Sequence, residues 1–224
     1  MLQVAILNHS NVVTPTALEQ AVAALNVQLV RDFAPAWGIY AQVYVQNSPR
    51  IGQPVLYVLD NATIAGALGY HDEMLSSPEG FVFAGTAKQY GVPWESVMSH
   101  ECLEMLADPW TNTLVDTIYQ GQETLVFAEV ADPVEGDGYL IDGMVMSNFV
   151  LPTWFLPWPV SGTPHVDFLR RLTAPLTVDA GGYFSYTQQI GQWQQVFGDK
   201  YKKEIHDPKF SRPARRRPRF AKKT

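Results

Sequence analysis

Histidine and carboxylate side chains crowd into one short stretch, Val97 to Pro109, where His100, Glu101, Glu104 and Asp108 punctuate a segment otherwise rich in Met, Leu, Ala and Cys. At helical pitch, taking His100 as origin, Glu104 falls at about 40°, Asp108 at about 80° and Glu101 at about 100°. Met98, Cys102 and Met105 fall on the opposite side, so one stripe is acidic and the other apolar. A histidine and a carboxylate four residues apart point the same way and can share one divalent cation. Burying such a cluster is costly unless a cation neutralises it. Zinc would require a third protein ligand and an open position for water. Glu129 is the first candidate for that ligand, with Asp132 placed to orient it. Asp108, just before Pro109, either caps the helix end or supports the ligands from behind. The plainer alternative is a solvated acidic helix face.

These residues need elements to hold them. Gln3–Leu7 reads as a buried strand, and Thr14-Pro15 opens a helix as a cap and first-turn pair that ends near Phe33 to Pro35. Ala41–Val45, Pro54–Leu59 and Phe81–Ala84 read as further strands, with Gly69-Tyr70-His71-Asp72-Glu73 a polar loop and Gly85 to Gly91 a connection. The central helix opens at Pro93 and stops at Pro109. Beyond it, Leu125–Val130 reads as a strand and Asp137–Val145 as a hairpin. Leu151–Pro159 reads as an extended loop, and 181–186 as one more hairpin. The mixture is an α+β fold. Cys102, the only cysteine, lies on the apolar side of the central helix and reads as an inert core thiol.

A strand, a connecting loop, a short helix carrying His100-Glu101-x-x-Glu104 and a downstream acidic residue resemble the zincin metallopeptidases, in the branch whose third ligand is a glutamate. The strings Ser99-His100-Glu101-x-x-Glu104-x-x-x-Asp108-Pro109 and Glu129-x-x-Asp132-Pro133 also resemble a loosely characterised group of phage and bacterial proteins. The resemblance spans roughly residues 55–155. It implies a zincin-like single domain over 1–199, with a mixed sheet packed on a metal-site helix. It makes His100, Glu104 and Glu129 the ligands and Glu101 the base that activates a bound water. Tyr139 or His71 would then face a developing oxyanion. Position 104 is Glu where the large zincin families have His. The site is therefore more anionic, and Mn²⁺ or Ca²⁺ rival Zn²⁺.

Charge divides the chain. Residues 200–224 hold 11 of the 16 Lys and Arg but 2 of the 22 Asp and Glu, which leaves the body at −15 and the tail at +9. The tail reads as disordered. Its Arg215, Arg216, Arg217 and Arg219 carry the charge to dock on nucleic acid or on another protein. No signal peptide or stretch of membrane-spanning length is evident. The expectation is a protein without a membrane, in a virion or host cytoplasm if phage-encoded and otherwise cytoplasmic. Two functions fit: a zinc-dependent peptidase acting on a peptide or protein substrate, or a virion structural or assembly protein. In the second, the metal is a folding staple and the tail docks on other virion proteins or nucleic acid.

Overall fold

In the computed structural model, which describes residues 1–62, 67–74, 77–189 and 192–199, strand β1 (Leu2–Asn8) is an interior strand of a five-stranded sheet. Its neighbours are β2 (Ala41–Val45) and β3 (Val55–Leu59), followed by β5 (Ser77–Phe83) and, at the edge, β4 (Gly69–Met74), in the order β2-β1-β3-β5-β4. The first four run parallel and β4 is antiparallel to β5. Parallel strands are covered by helices, so they read as apolar runs, and Val4, Ala5, Ile6 and Leu56 are fully buried.

The stretch read as a polar loop, Gly69 to Glu73, is instead part of β4. An edge strand needs no apolar alternation on both faces, so its polar sequence hides it. Likewise Gly85 to Gly91, read as a connection, begins with a short helix α3 (Ala84–Gln89). Helix α1 (Pro15–Val27) opens as expected, with the Thr14 hydroxyl accepting from the Ala17 N–H. It continues through a π-helical turn (Gln28–Phe33) into α2 (Ala34–Trp37), which Gly38 ends in the left-handed conformation.

Helix α4 (Trp94–Ala107) packs against β3, β4 and β5 on the sheet and against Met144–Ser147 beyond it. Every residue from Val97 to Leu106 is buried, the acidic stripe included. The alternative of a solvated acidic face does not hold.

The chain beyond α4 builds a second sheet and a hairpin. The antiparallel sheet, β11-β10-β7-β6, comprises β6 (Leu114–Tyr119), β7 (Gln122–Phe127), β10 (Tyr183–Thr187) and β11 (Trp193–Phe197). The expected hairpin within 137–145 is β8 (Gly138–Ile141) with β9 (Met144–Ser147). It turns at Asp142-Gly143, both with positive φ, as a two-residue turn of this twist requires. The segment read as an extended loop, Leu151–Pro159, contains a 3₁₀ turn (Pro152–Phe155) that sinks Trp154 into the core, where its indole N–H donates to the Thr177 carbonyl. The fold is mixed α and β, and no helix among the described residues is long and apolar enough to cross a membrane. The arginines expected to dock on partners, Arg215, Arg216, Arg217 and Arg219, lie outside the described residues.

Candidate metal centre

Three elements bring the chemistry together. Helix α4 supplies His100, Glu101 and Glu104 from one face, β4 supplies His71, and a 3₁₀ turn (Asp132–Val134) supplies Asp132. All five side chains are buried. Their donor atoms form two sets that share Glu104: His100, Glu104 and Asp132, and His71, Glu101 and Glu104.

Backbone chemistry fixes the first set. Glu104 Oε1 accepts from the backbone N–H groups of Ala131 (3.3 Å) and Asp132 (3.2 Å), so the helix carboxylate caps the start of the 3₁₀ turn. The cap holds Asp132 beside the helix. His100 Nε2 lies 3.4 Å from Glu104 Oε1 and 3.3 Å from Asp132 Oδ1. Hydrogen bonds of this type centre at about 2.7–3.2 Å. A tetrahedral zinc site with bonds of about 2.0–2.1 Å has ligand-to-ligand edges of about 3.3–3.4 Å, which the observed spacings match.

The second set faces the sheet. His71 Nδ1 lies 3.5 Å from Glu101 Oε2 and 3.7 Å from Glu104 Oε2. Close approach of β4 to the helix depends on Gly69. A Cβ there would sit 2.7 Å from Glu101 Oε1 and 2.8 Å from Val97 Cγ1, a contact that side chains do not make.

Electrostatics follow from the burial. Burial disfavours a charged His100, but Glu104, Asp132 and Glu101 outweigh it and hold its pKa well above the ordinary histidine value. Burial, reinforced by the Glu104 charge, pushes the Asp132 carboxyl above the usual carboxylate range, although His100 opposes the rise. In the absence of a cation, this pair therefore retains a proton that an open, solvated pair would lose. A divalent ion would replace that proton.

The other residues singled out from the sequence fall in different places. Glu129 is buried but belongs to neither donor set. Asp132, expected to orient a ligand, is the downstream residue at ligand distance, because its turn is the one capped by Glu104. Asp108 is buried at the end of α4, where Oδ1 accepts from the backbone N–H groups of Asn112 and Thr113, each at 2.9 Å. It organises the turn after the helix.

Tyr139 stands apart from both sets. Its hydroxyl donates to Asp32 Oδ2 at 2.8 Å and accepts from Gln28 Nε2 at 3.1 Å. Burial, followed by that bond to Asp32, raises the phenol pKa far above normal, so it remains a neutral donor committed to Asp32.

Sequence reading missed the network to which Tyr139 belongs. Ser99, directly before His100, donates to Gln28 Oε1 at 2.6 Å and accepts from the Ser147 backbone N–H at 3.0 Å. Gln28 Nε2 also reaches the Ser147 carbonyl at 2.8 Å. The network ties α4 to the π-helical turn and to β9. A glutamine in a helical pattern carries no mark that it will be fully buried, and its only signal is the run of apolar neighbours around it.

Among the described residues, the two sets sharing Glu104 are the places where three such donors converge. No family model, curated protein or solved structure matches the chain.

Proposed function

We propose that the protein is a zincin-like metallohydrolase that binds a divalent cation through His100, Glu104 and Asp132 and cleaves a peptide bond. The observation that supports this most is the spacing around His100 Nε2, 3.4 Å to Glu104 Oε1 and 3.3 Å to Asp132 Oδ1. Imidazole with carboxylates suits Zn²⁺ and admits Mn²⁺. A cation held there would supply Lewis acidity, polarising a carbonyl and making water a better nucleophile at neutral pH.

The chain's own residues supply the rest. Glu101, next to His100 in sequence and on the same helix face, is the carboxylate available to accept a proton. His71 holds Glu101 from the sheet side at 3.5 Å and keeps its carboxylate oriented. Glu104 Oε1, fixed by the two backbone N–H groups of the 3₁₀ turn, keeps the ligand geometry rigid.

A specific observation favours a second reading, a structural metal staple in an assembly protein. The histidines and carboxylates are almost wholly enclosed, with Glu101 and Glu104 only 5% and 4% exposed, and structural sites are closed where catalytic ones keep an open position. Glu101→Gln separates the two. It preserves shape and the ion held by His100, Glu104 and Asp132 in both readings, and it abolishes cleavage of a broad peptide library only in the first. A zinc-loaded wild type that cleaves none of the library decides for the staple.

A further inference from the structure

The two oxygens of Glu104 face different histidines. Oε1 lies 3.4 Å from His100 Nε2, and Oε2 lies 3.7 Å from His71 Nδ1. From this we infer that the centre takes two divalent cations bridged by Glu104, the second held by His71, Glu101 and Glu104. The second site builds on the first and depends on the metal reading proposed above, because Glu104 serves both.

Geometry supplies the first reason. A carboxylate that turns one oxygen to each of two donor sets is a bridging ligand, and bridged pairs sit about 3.5–4 Å apart. The donor atoms of each set lie within 4.8 Å of one another, so each set can close on one ion. The spacings in the second set, 3.5 and 3.7 Å, are wider than those around His100, which suits a somewhat larger cation than zinc. With one imidazole and two carboxylates, Mn²⁺ fits that chemistry as well as Zn²⁺ does.

Charge supplies the second reason. With both histidines neutral, as ligands must be, Glu101, Glu104 and Asp132 place three negative charges in a buried space. One divalent ion leaves that space anionic, which is costly at low polarity. A second cation with one bridging hydroxide brings the centre to neutrality.

The backbone is built to allow it. His71 is 2% exposed on the edge strand, with the same strand's Gly69 leaving room for Glu101. Its register partner on β5 is Gly80, where Leu56 from β3 fills the space that a side chain would take. Occupation of the second site would also make Glu101 a ligand and withdraw it from proton transfer. A weakly held second ion would therefore act as an inhibitor of the activity proposed above.

The test is metal counting on the chelated, full-length protein, titrated with Zn²⁺ and separately with Mn²⁺. Wild type should bind two equivalents and His71→Ala one, while Glu104→Gln should lose both sites or weaken them together. Saturated Mn²⁺ protein should show the spin-coupled electron paramagnetic resonance spectrum of a close pair, a readout that needs no variant to fold. One equivalent at saturation, unchanged in His71→Ala, or an uncoupled Mn²⁺ spectrum at saturation overturns the second site and leaves the first intact. No bound metal overturns both. Two bound ions without peptide cleavage keep this inference and remove only the peptidase.

Discussion

Raising the pH should separate the stabilities of the metal-free and metal-loaded proteins. In the metal-free protein, His100 keeps its proton to a higher pH when folded than when unfolded, because the carboxylates around it outweigh its burial. Asp132, raised chiefly by burial, also keeps its proton longer when folded. Both shifts leave the native state with more bound protons than the unfolded state. For His100, the extra stability is complete below the ordinary histidine value near 6.5 and is lost as pH rises through the raised folded pKa. Raised Asp132 acts with the same sign, from the ordinary aspartate range upward. Each proton involved changes stability by about 1.4 kcal/mol per pH unit within its window.

Metal offsets this loss, because the ion must displace the His100 proton. If one proton leaves on binding, affinity rises about tenfold per pH unit, and the stabilisation at fixed free metal grows by about 1.4 kcal/mol per unit. Urea melts at about pH 6, about pH 7 and about pH 8, with chelator and with Zn²⁺ at fixed free concentration, measure the gap directly, since titrations elsewhere in the chain cancel in the difference. The gap should widen steadily with pH. A gap that is constant or narrows across that range refutes the coupling between His100, Asp132 and the cation.

Ser99→Ala should cost about 1–3 kcal/mol in urea denaturation, since it strips a partner from the buried Gln28 Oε1 and the Ser147 N–H, while metal content stays as in wild type. Burial pushes the Cys102 thiol up to about 12, so it should resist a disulfide reagent in the folded protein and react fully in denaturant. Labelling at the free-thiol rate under native conditions would show that the core around α4 opens readily.

Much of the centre was legible in the sequence because its helix is local. The spacing of His100, Glu101 and Glu104 determines their common face in any helix, and Pro93 and Pro109 bracket it. The Thr14-Pro15 start of α1 was legible for the same reason. What the spacing could not show was tertiary. His71 sits on an edge strand whose polar residues imitate a loop, and only the pairing of β4 with β5 turns it toward the helix. Glu129 reads as the downstream ligand with Asp132 to orient it, whereas Asp132 is the one that joins a donor set. Glu129 and Asp132 are equally acidic, and the choice rests on Glu104 capping the turn that Asp132 begins. The covering of the acidic stripe by distant chain, and the Gln28–Ser99–Tyr139 network across more than a hundred residues, have no local signature.

The buried histidine–carboxylate cluster is proposed to be a metal site. Its most direct test is elemental analysis of the purified protein after chelation, reloading with Zn²⁺ and exhaustive dialysis, beside His100→Ala treated identically. Wild type should retain at least one equivalent of zinc, and the variant should lose it. Wild-type protein that is folded yet retains no stoichiometric metal would contradict it.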